Sequence, residues 1–497
     1  MQLFQFPLVR LFIAYILGII IAFQFRNPLD DTALFICLFL LLFSHLPFTF
    51  KYFSPFPYLF FLILGYLFLH KQLSQPPLAV TQKCECRLTK KKQKHKRYLL
   101  WFKCKTENNT SFQTEINWKD QDIVPNENEL FQIRLTLDSL HKQKFTSSFN
   151  YNDYLKKNGI LSTVNISNAK KSGYVVIKTF HPVQKKWREN WIALFQSSLS
   201  PEAANLVPAI LFGDKSNLSK DTRNLFSQAG IIHILAVSGL HVGMLYLLIF
   251  RSLFWLGKRP IRLHIRNGIS LVCLIIYAWI CGFSPSISRA VLMFAIIFST
   301  KLFLKNSPTL HQLIVSAFIL LIYEPLWLFQ LGFQFSYIAT AGILIGLKSL
   351  DTEKQYSKIS TFIRDSTMVS IAAQTAVIPI SLFYFYQIPI WFFLTNIPAF
   401  ILAFLLLLFS ISSLVFQSSP SIFRYLILPV EWCSQGLFFL IQSINYLPVQ
   451  MIEYKISSLP QLAIVYLLLG SLYLFFLRKQ FNQLKWILIE LTILLLL

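Results

Sequence analysis

Acidic side chains are scarce here: 22 Asp plus Glu stand against 46 Lys plus Arg in 497 residues, a formal net charge of +24. Charge of either sign makes up only 14% of the chain. Several nucleotide and metal signatures are also missing. No G-x-x-x-x-G-K-[ST] occurs, which excludes a phosphate-gripping loop and a built-in ATP motor. No H-E-x-x-H occurs, and no H-x-H-x-D-H cluster; the nine histidines are scattered. Nothing in the chain is therefore expected to hydrolyse ATP or to cut a phosphodiester with bound metal, and no enzyme activity and no cofactor are expected. The first apolar run, residues 8–25, is followed by no small-residue cleavage site and reads as a permanent helix.

What is present is hydrophobic. The chain is 55% apolar and 16% aromatic. Several runs approach the ~20 residues needed to cross a ~30 Å hydrocarbon layer. That composition predicts a polytopic α-helical membrane protein. Apolar segments fall at about 8–25, 33–50 and 56–70, and again at about 229–250, 267–283, 288–304, 309–323, 327–347, 366–386, 390–415, 421–446, 461–477 and 484–497.

Between the two sets lies a water-exposed insertion. Residues 72–190 hold 22 Lys plus Arg and 10 Asp plus Glu, half the net excess, and no membrane-length run. Residues 98–106, 111–118, 129–137, 159–166 and 174–180 alternate or are rich in β-branched and aromatic side chains. A short helix in NYNDYLKKN ends at Gly159, a residue suited to a helix C-terminus. Five strands and one helix suit a small OB-like barrel or a different small β-sandwich. The expected organisation is 1–71 N-terminal helices, 72–184 β domain, 185–228 amphipathic helices and 229–497 membrane domain. Ser219 is the expected N-cap of a helix with Asp221 and Thr222 in its first turn, as cap preferences dictate.

Sidedness follows from short basic loops. Loop 251–266 carries Arg251, Lys258, Arg259, Arg262 and Arg266 with no acid. Lys301 with Lys305, the 348–364 loop and Arg478-Lys479 can all face the cytoplasm with it. Residues 72–228 are then extracytoplasmic.

Two outer features follow. The run Lys90, Lys91, Lys92, Gln93, Lys94, His95, Lys96, Arg97 sits between two strands. It reads either as a hairpin tip touching phosphates or as a solvated loop. Cys84, Cys86 and Cys104 lie on neighbouring strands. Outside the cytoplasm one of the first two can bridge Cys104, with Cys86–Cys104 the candidate pair. Three thiols with His95 alone nearby do not make a zinc site.

The segment Leu206 to Gly243 carries the most information. It predicts a polar helix running without a break into an apolar one bearing His233, Ser238, Gly239, His241 and Gly243. Ser238 and His241, three apart, share a helical face, and Gly239 with Gly243 forms a GxxxG that invites a neighbouring helix. Polar groups inside a membrane usually serve a purpose. The alternative is tight packing with satisfied histidines. Other polar side chains in apolar helices are Arg289, Gln330, Gln334, Tyr337, Gln374, Thr375 and Asn396 before Pro398. Together they suit a water-filled cavity among broken helices.

FGDKSNLSKDTRNLFSQAGIIHILAVSGLHVG resembles the signature of the ComEC family of bacterial competence channel proteins. So do SPSISRAVLMF, GFQFSYIATAG, and AAQTAVIPISLFYF followed by NIPAF; FNYNDYLKKNGI is similar to an element of the family's outer domain. The resemblance implies a bacterial inner-membrane channel that passes single-stranded DNA into the cytoplasm during natural transformation, and an OB-like outer domain. It implies a periplasmic DNA receptor and a cytoplasmic ATP-driven helicase-like motor as partners, with membrane lipid around it and a homo-oligomer as one possible assembly. Many members end in a metallo-β-lactamase-like domain; this chain ends in apolar sequence and has no such ligands, so the resemblance supports transport and not strand degradation. Readings left beside it are an exporter or flippase of another polyanion, a scaffold without transport, and an intramembrane serine hydrolase using Ser238 and His241.

Overall fold

The computed structural model describes residues 7–24, 56–73, 81–94, 97–106, 111–119, 125, 129–136, 138–139, 155–166, 174–179, 183–235, 237–257, 259–303, 308–346 and 358–478. The expected spans at 33–50 and 484–497, and His95 and Lys96, lie outside the described residues. Two compact units divide the chain: Met1–Lys186 with Ile314–Leu331, and Trp187–Leu313 with Gly332–Leu497.

In the first unit, α1 (Pro7–Gln24) and α2 (Phe56–Leu73) cross closely. A Cβ on Gly18 would strike the Leu62 carbonyl, and one on Gly65 the Tyr15 carbonyl. Only glycine lets the two backbones meet here. The buried Tyr15 hydroxyl donates to the Leu321 carbonyl at 3.0 Å.

Among the described residues the β domain has seven strands: β1 (Thr81–Lys94), β2 (Arg97–Thr106), β3 (Ser111–Trp118), β4 (Glu129–Thr136), β5 (Asp138–Ser139), β6 (Ile160–Ile166) and β7 (Val175–Thr179). Their order is β5-β6-β3-β2-β1-β4-β7, with β3–β6 the parallel pair and the other pairs antiparallel. The end strands do not pair with each other, so no barrel closes among the described residues. Strand alternation makes one face apolar. Cys84, Cys86 and Leu88 are buried while Glu85 and Arg87 between them are exposed. Phe102, Trp118 and Phe131 fill that face with Leu100, Ile116 and Ile133.

Five of the strands fall where alternation placed them. The longest, β1, holds Cys84 and Cys86, which were expected on a strand, but its second half is the lysine run, which was not. Lys90, Lys91, Lys92 and Lys94 belong to a ladder with Trp101, Leu100, Leu99 and Arg97, so the hairpin extends through a run read as lying between strands. A register shift between Leu88 and Lys90 marks where the basic half begins. The cross-strand hydrogen bonds hold a composition that β-propensity disfavours. Cys86 lies opposite Cys104 at a Cα separation of 4.1 Å, and the two are disulfide-bonded; Cys84 is a buried free thiol. Gly159 ends the short helical turn with φ 77°, a conformation that favours glycine.

The rest of the described chain is helical, and apart from most of α9 and the first residues of α3 and α10 it belongs to the second unit: α3 (Val183–Ser198), α4 (Pro201–Phe212), α5 (Lys220–Gln228), α6 (Gly239–Ser252), α7 (Pro260–Ile280), α8 (Pro285–Phe303), α9 (Thr309–Tyr323), α10 (Leu331–Gly346), α11 (Lys358–Phe385), α12 (Phe392–Val415), α13 (Pro420–Ser443) and α14 (Leu459–Arg478). A two-stranded ladder, β8 (Gln387–Pro389) with β9 (Met451–Glu453), precedes α12 and α14. Among the described residues, five stretches are long and apolar enough to cross a membrane: α6 with its following turn, α7, α8, Arg364–Phe385 and α12. The chain is a multi-pass membrane protein. α9 and α10 have 15 and 16 residues. Both fall short of the ~17 residues a span usually needs.

α12 and α13 pack side by side against α4, burying Leu206, Ile210, Ala403, Leu406, Val430 and Leu437. α6, α7 and α8 form a second cluster around Val242, Leu274, Ala278, Ile287 and Ala290. α10 and α11 cross through small residues: Cβ atoms on Gly342 and Gly346 would meet Ala372 and Ala376.

Candidate functional site

The site begins where the helix expected over 229–250 breaks. α4 ends at Gly213 (φ 75°), and Asp214 folds the next turn by accepting from the Ser216 N–H at 3.0 Å and its hydroxyl at 2.6 Å. Burial, with Arg223 nearby, pulls the Lys215 ammonium below its ordinary range, since both effects disfavour the charged form. Ser219 caps α5 by accepting from the Thr222 N–H at 3.0 Å.

α5 then stops. Gly230 takes φ 75°, and a Cβ there would come within 2.8 Å of Phe392 Cβ at the start of α12. Thr395 fastens the same junction, its buried hydroxyl donating to the Ala229 carbonyl at 2.6 Å. Residues 232–235 form a short 3-10 turn, and Val237 and Ser238 are not helical. The continuous helix read from periodicity is therefore replaced by a turn and a fresh helix start. Gly230 supplies the left-handed residue that ends α5, and Ser238 supplies the cap that opens α6.

Ser238 is extended (φ −104°, ψ 168°) and its hydroxyl accepts from the Leu240 N–H at 3.2 Å. His241 closes the reciprocal half of a capping box. Its Nδ1 accepts from the Ser238 N–H at 3.1 Å and sits 2.9 Å from Ser238 Oγ. The pair thus meets through the cap and not through a shared helical face. A backbone N–H can only donate, so Nδ1 is an acceptor and the ring proton sits on Nε2. That Nε2 is buried without a hydrogen-bond partner among the described residues, and His241 is only 1% exposed. His233 is exposed, and it lies close enough to His241 to interact with it electrostatically.

Gly239 opens α6 against α8. A Cβ on it would collide with Nη2 of Arg289, whereas one on Gly243 would meet nothing within 4 Å. The expected helix approach through Gly239 and Gly243 is half met: Gly239 faces α8, where a Cβ would meet Arg289 and Ala290, while Gly243 faces open space; closer crossing occurs at Gly342 and Gly346. Arg289 is 7% exposed. Its Nε donates to Ser336 Oγ on α10 at 2.8 Å, its Nη1 reaches Met293 Sδ at 3.5 Å, and it lies 5.8 Å from the Tyr337 ring centre. Among the described residues no carboxylate pairs with it.

Sequence-selected residues thus divide. Ser238, Gly239, His241 and Arg289 come together at the head of α6, with His233 beside them. Gln334 is on α10 and Gln374 on α11, both half-buried; Asn396 follows Thr395 on α12 and keeps a buried Oδ1 without a partner among the described residues. Lys90, Lys91, Lys92, Lys94 and Arg97 belong to the β domain. Ser336 and Thr395 were missed. Each is a lone hydroxyl in an apolar helix, and nothing in the spacing marks it; only its three-dimensional partner does.

Residues 210–479, more than half of the chain, match the family described as Competence protein. The chain is similar to ComE operon protein 3 of Bacillus subtilis, 26% identical over 261 residues that cover 51% of this chain and 31% of that protein. It is similar to Recombination protein 2 of Haemophilus influenzae, 24% identical over 235 residues, 46% of this chain and 29% of that one. An uncharacterized protein of Aquifex aeolicus is 27% identical over 247 residues, 48% of this chain and 55% of that one. The matched part spans about a third of the Bacillus and Haemophilus proteins. No solved structure matches. The signature segments that meet at the head of α6 lie inside the matched region, and the chain belongs to the competence protein family.

Proposed function

We propose that this chain acts in DNA uptake for transformation, as the bacterial inner-membrane path that carries single-stranded DNA into the cytoplasm. Its β domain and residues 72–228 face outward in this reading, and the basic loops face inward. The reading is supported by the match to the Competence protein family and by the similarity to ComE operon protein 3 and Recombination protein 2. The observation that carries it is the pair of buried polar residues His241 and Arg289, with half-buried Ser238 capping α6, among apolar helices of the matched segment.

The physics favours such a path. A bare phosphate in hydrocarbon costs tens of kcal/mol by Born reasoning, so a strand needs fixed donors to replace its water. Neutral donors with few cations let a polyanion move on, where a dense row of lysines would hold it. The energy comes from a partner, because the chain has no nucleotide-binding loop; a cytoplasmic helicase-like motor fills that role, and an outer DNA receptor delivers the strand. The chain itself catalyses nothing in this account.

One contact favours a different reading. Ser238 Oγ lies 2.9 Å from His241 Nδ1, the spacing of a nucleophile and its base. The same Nδ1 is already taken by the Ser238 backbone N–H, and the Ser238 hydroxyl caps α6. Among the described residues no carboxylate orients the ring through Nε2. The pair is built as a helix cap. A fluorophosphonate probe that labels the protein and fails on Ser238→Ala would reverse this assignment. The channel reading itself is tested by following labelled single-stranded DNA into the cytoplasm of cells with and without the protein: entry that does not depend on the protein removes it.

A further inference from the structure

Two buried arginines contact α6, at opposite ends. Arg266 is 6% exposed, donates to the Phe250 carbonyl in the last turn of α6 and stacks on the Phe250 ring at 4.1 Å. A cation is favoured there, because the helix C-terminus is the negative end of its dipole. Arg266 is thereby accounted for as a structural anchor.

Arg289 sits at the other end. It lies against Gly239, the first residue of α6, where the helix dipole is positive and repels a cation. Its partners are a hydroxyl, a thioether and an aromatic ring, all neutral. Burial of a charge without a counter-charge costs several kcal/mol, and proteins keep such groups where a ligand supplies the missing charge. In the same first turn His241 holds its proton on Nε2, a buried donor with no acceptor among the described residues. A guanidinium meets the helix N-terminus at Gly239, and His241 in the same first turn keeps a buried N–H donor. The Gly239 hydrogen is what leaves the guanidinium its place.

We propose that Arg289 and the His241 Nε2–H form an anion site at the first turn of α6 that takes a phosphodiester group of the strand. The proposal rests on the transport reading and names its contact residues. Nε keeps its Ser336 hydroxyl while the rest of the guanidinium gains a full counter-charge. The guanidinium fork suits a phosphate better than a lysine point charge does. A single cation at this point grips one phosphate at a time, which permits stepwise passage.

The test uses the full chain in nanodiscs of zwitterionic lipid. Binding of a short thymidine oligonucleotide is compared with that of its uncharged methylphosphonate analogue, for the wild type, Arg289→Gln, Arg289→Lys and His241→Asn. The asparagine keeps an acceptor near the Nδ1 position and removes the Nε2–H. The expected result is a wild-type preference for the charged strand that shrinks about tenfold in Arg289→Gln, corresponding to about 1.4 kcal/mol. Arg289→Lys and His241→Asn lose less. A preference unchanged in Arg289→Gln overturns the site while leaving the transport reading intact. No oligonucleotide binding by the wild type overturns both. Phosphatidylglycerol nanodiscs separate the other phosphodiester source: an Arg289-dependent lipid interaction without strand discrimination assigns the site to a headgroup and refutes the strand. If Arg289→Gln does not accumulate, Gly239→Ala displaces the same guanidinium and reads the same preference.

Discussion

Arg289 on α8 donates from Nε to the hydroxyl of Ser336 on α10 at 2.8 Å, joining two signature segments 47 residues apart in the chain. Hydrogen bonds to charged groups contribute about 1.5–3 kcal/mol each. Ser336→Ala is expected to lower the melting temperature measurably and to reduce DNA uptake, because the guanidinium loses its holder. Ser336→Thr keeps the hydroxyl and is expected to retain most of both. Thermal unfolding in detergent and a transformation assay check the pair. Equal behaviour of alanine and threonine would remove the hydrogen bond from the account.

Gly239 and Gly243 separate packing from site geometry. A methyl group at Gly239 meets the far end of a flexible arginine, which can swing away. Gly239→Ala is therefore expected to fold and to lose uptake. Gly243→Ala meets open space. It is expected to leave uptake within about twofold, the spread that follows from surface changes of about 0.5 kcal/mol. Membrane abundance is measured alongside. Matching losses in the two variants contradict the assignment.

Gly342 makes the reverse prediction. Its hydrogen faces the Ala372 carbonyl 2.8 Å from where a Cβ would stand, as well as Ala376. Gly342→Val over-packs a crossing of two backbones and is expected to cost about 1–3 kcal/mol. Gly470→Ala, with open space at its Cβ, is the control. A melting temperature unchanged in Gly342→Val means the α10–α11 crossing is looser than described.

The Cys86–Cys104 bond joins residues 18 apart in the chain. The chain-entropy account assigns a loop of this size about 3 kcal/mol. Replacing both cysteines with serine is expected to destabilise the β domain and leave the membrane helices in place, as judged by limited proteolysis. Thiol labelling of intact cells checks sidedness at the same time. Oxidised cysteines agree with an outward β domain; reduced cysteines reached only from the cytoplasm oppose it.

Much of this was readable from residue order, and the exceptions are physical. Strands β2, β3, β4, β6 and β7 announced themselves by alternation, which burial of one sheet face enforces. The second half of β1 did not, since a lysine run carries no alternation and its strand state comes from pairing with β2. Apolar helices were legible from their length. The break before α6 was hidden: Gly230 and Ser238 are common within helical sequence, and only the packing of Gly230 on Phe392 and the capping box show them to be a stop and a start. The close approach assigned to Gly239 and Gly243 holds at Gly239 alone, and a tighter one occurs at Gly342 and Gly346, because a small-residue motif does not say what faces it. His241 and Arg289 were visible as polar residues in apolar helices, but their meeting was not, since one-dimensional spacing does not encode which helices pack together.

The central claim is that the head of α6 handles the strand. The most direct measurement follows labelled single-stranded DNA into the cytoplasm of cells carrying the wild type, Ser238→Ala, His241→Asn or Arg289→Gln at equal membrane abundance. The account predicts that each substitution cuts entry, with Arg289→Gln the most severe. Entry at the wild-type level in all three would contradict it.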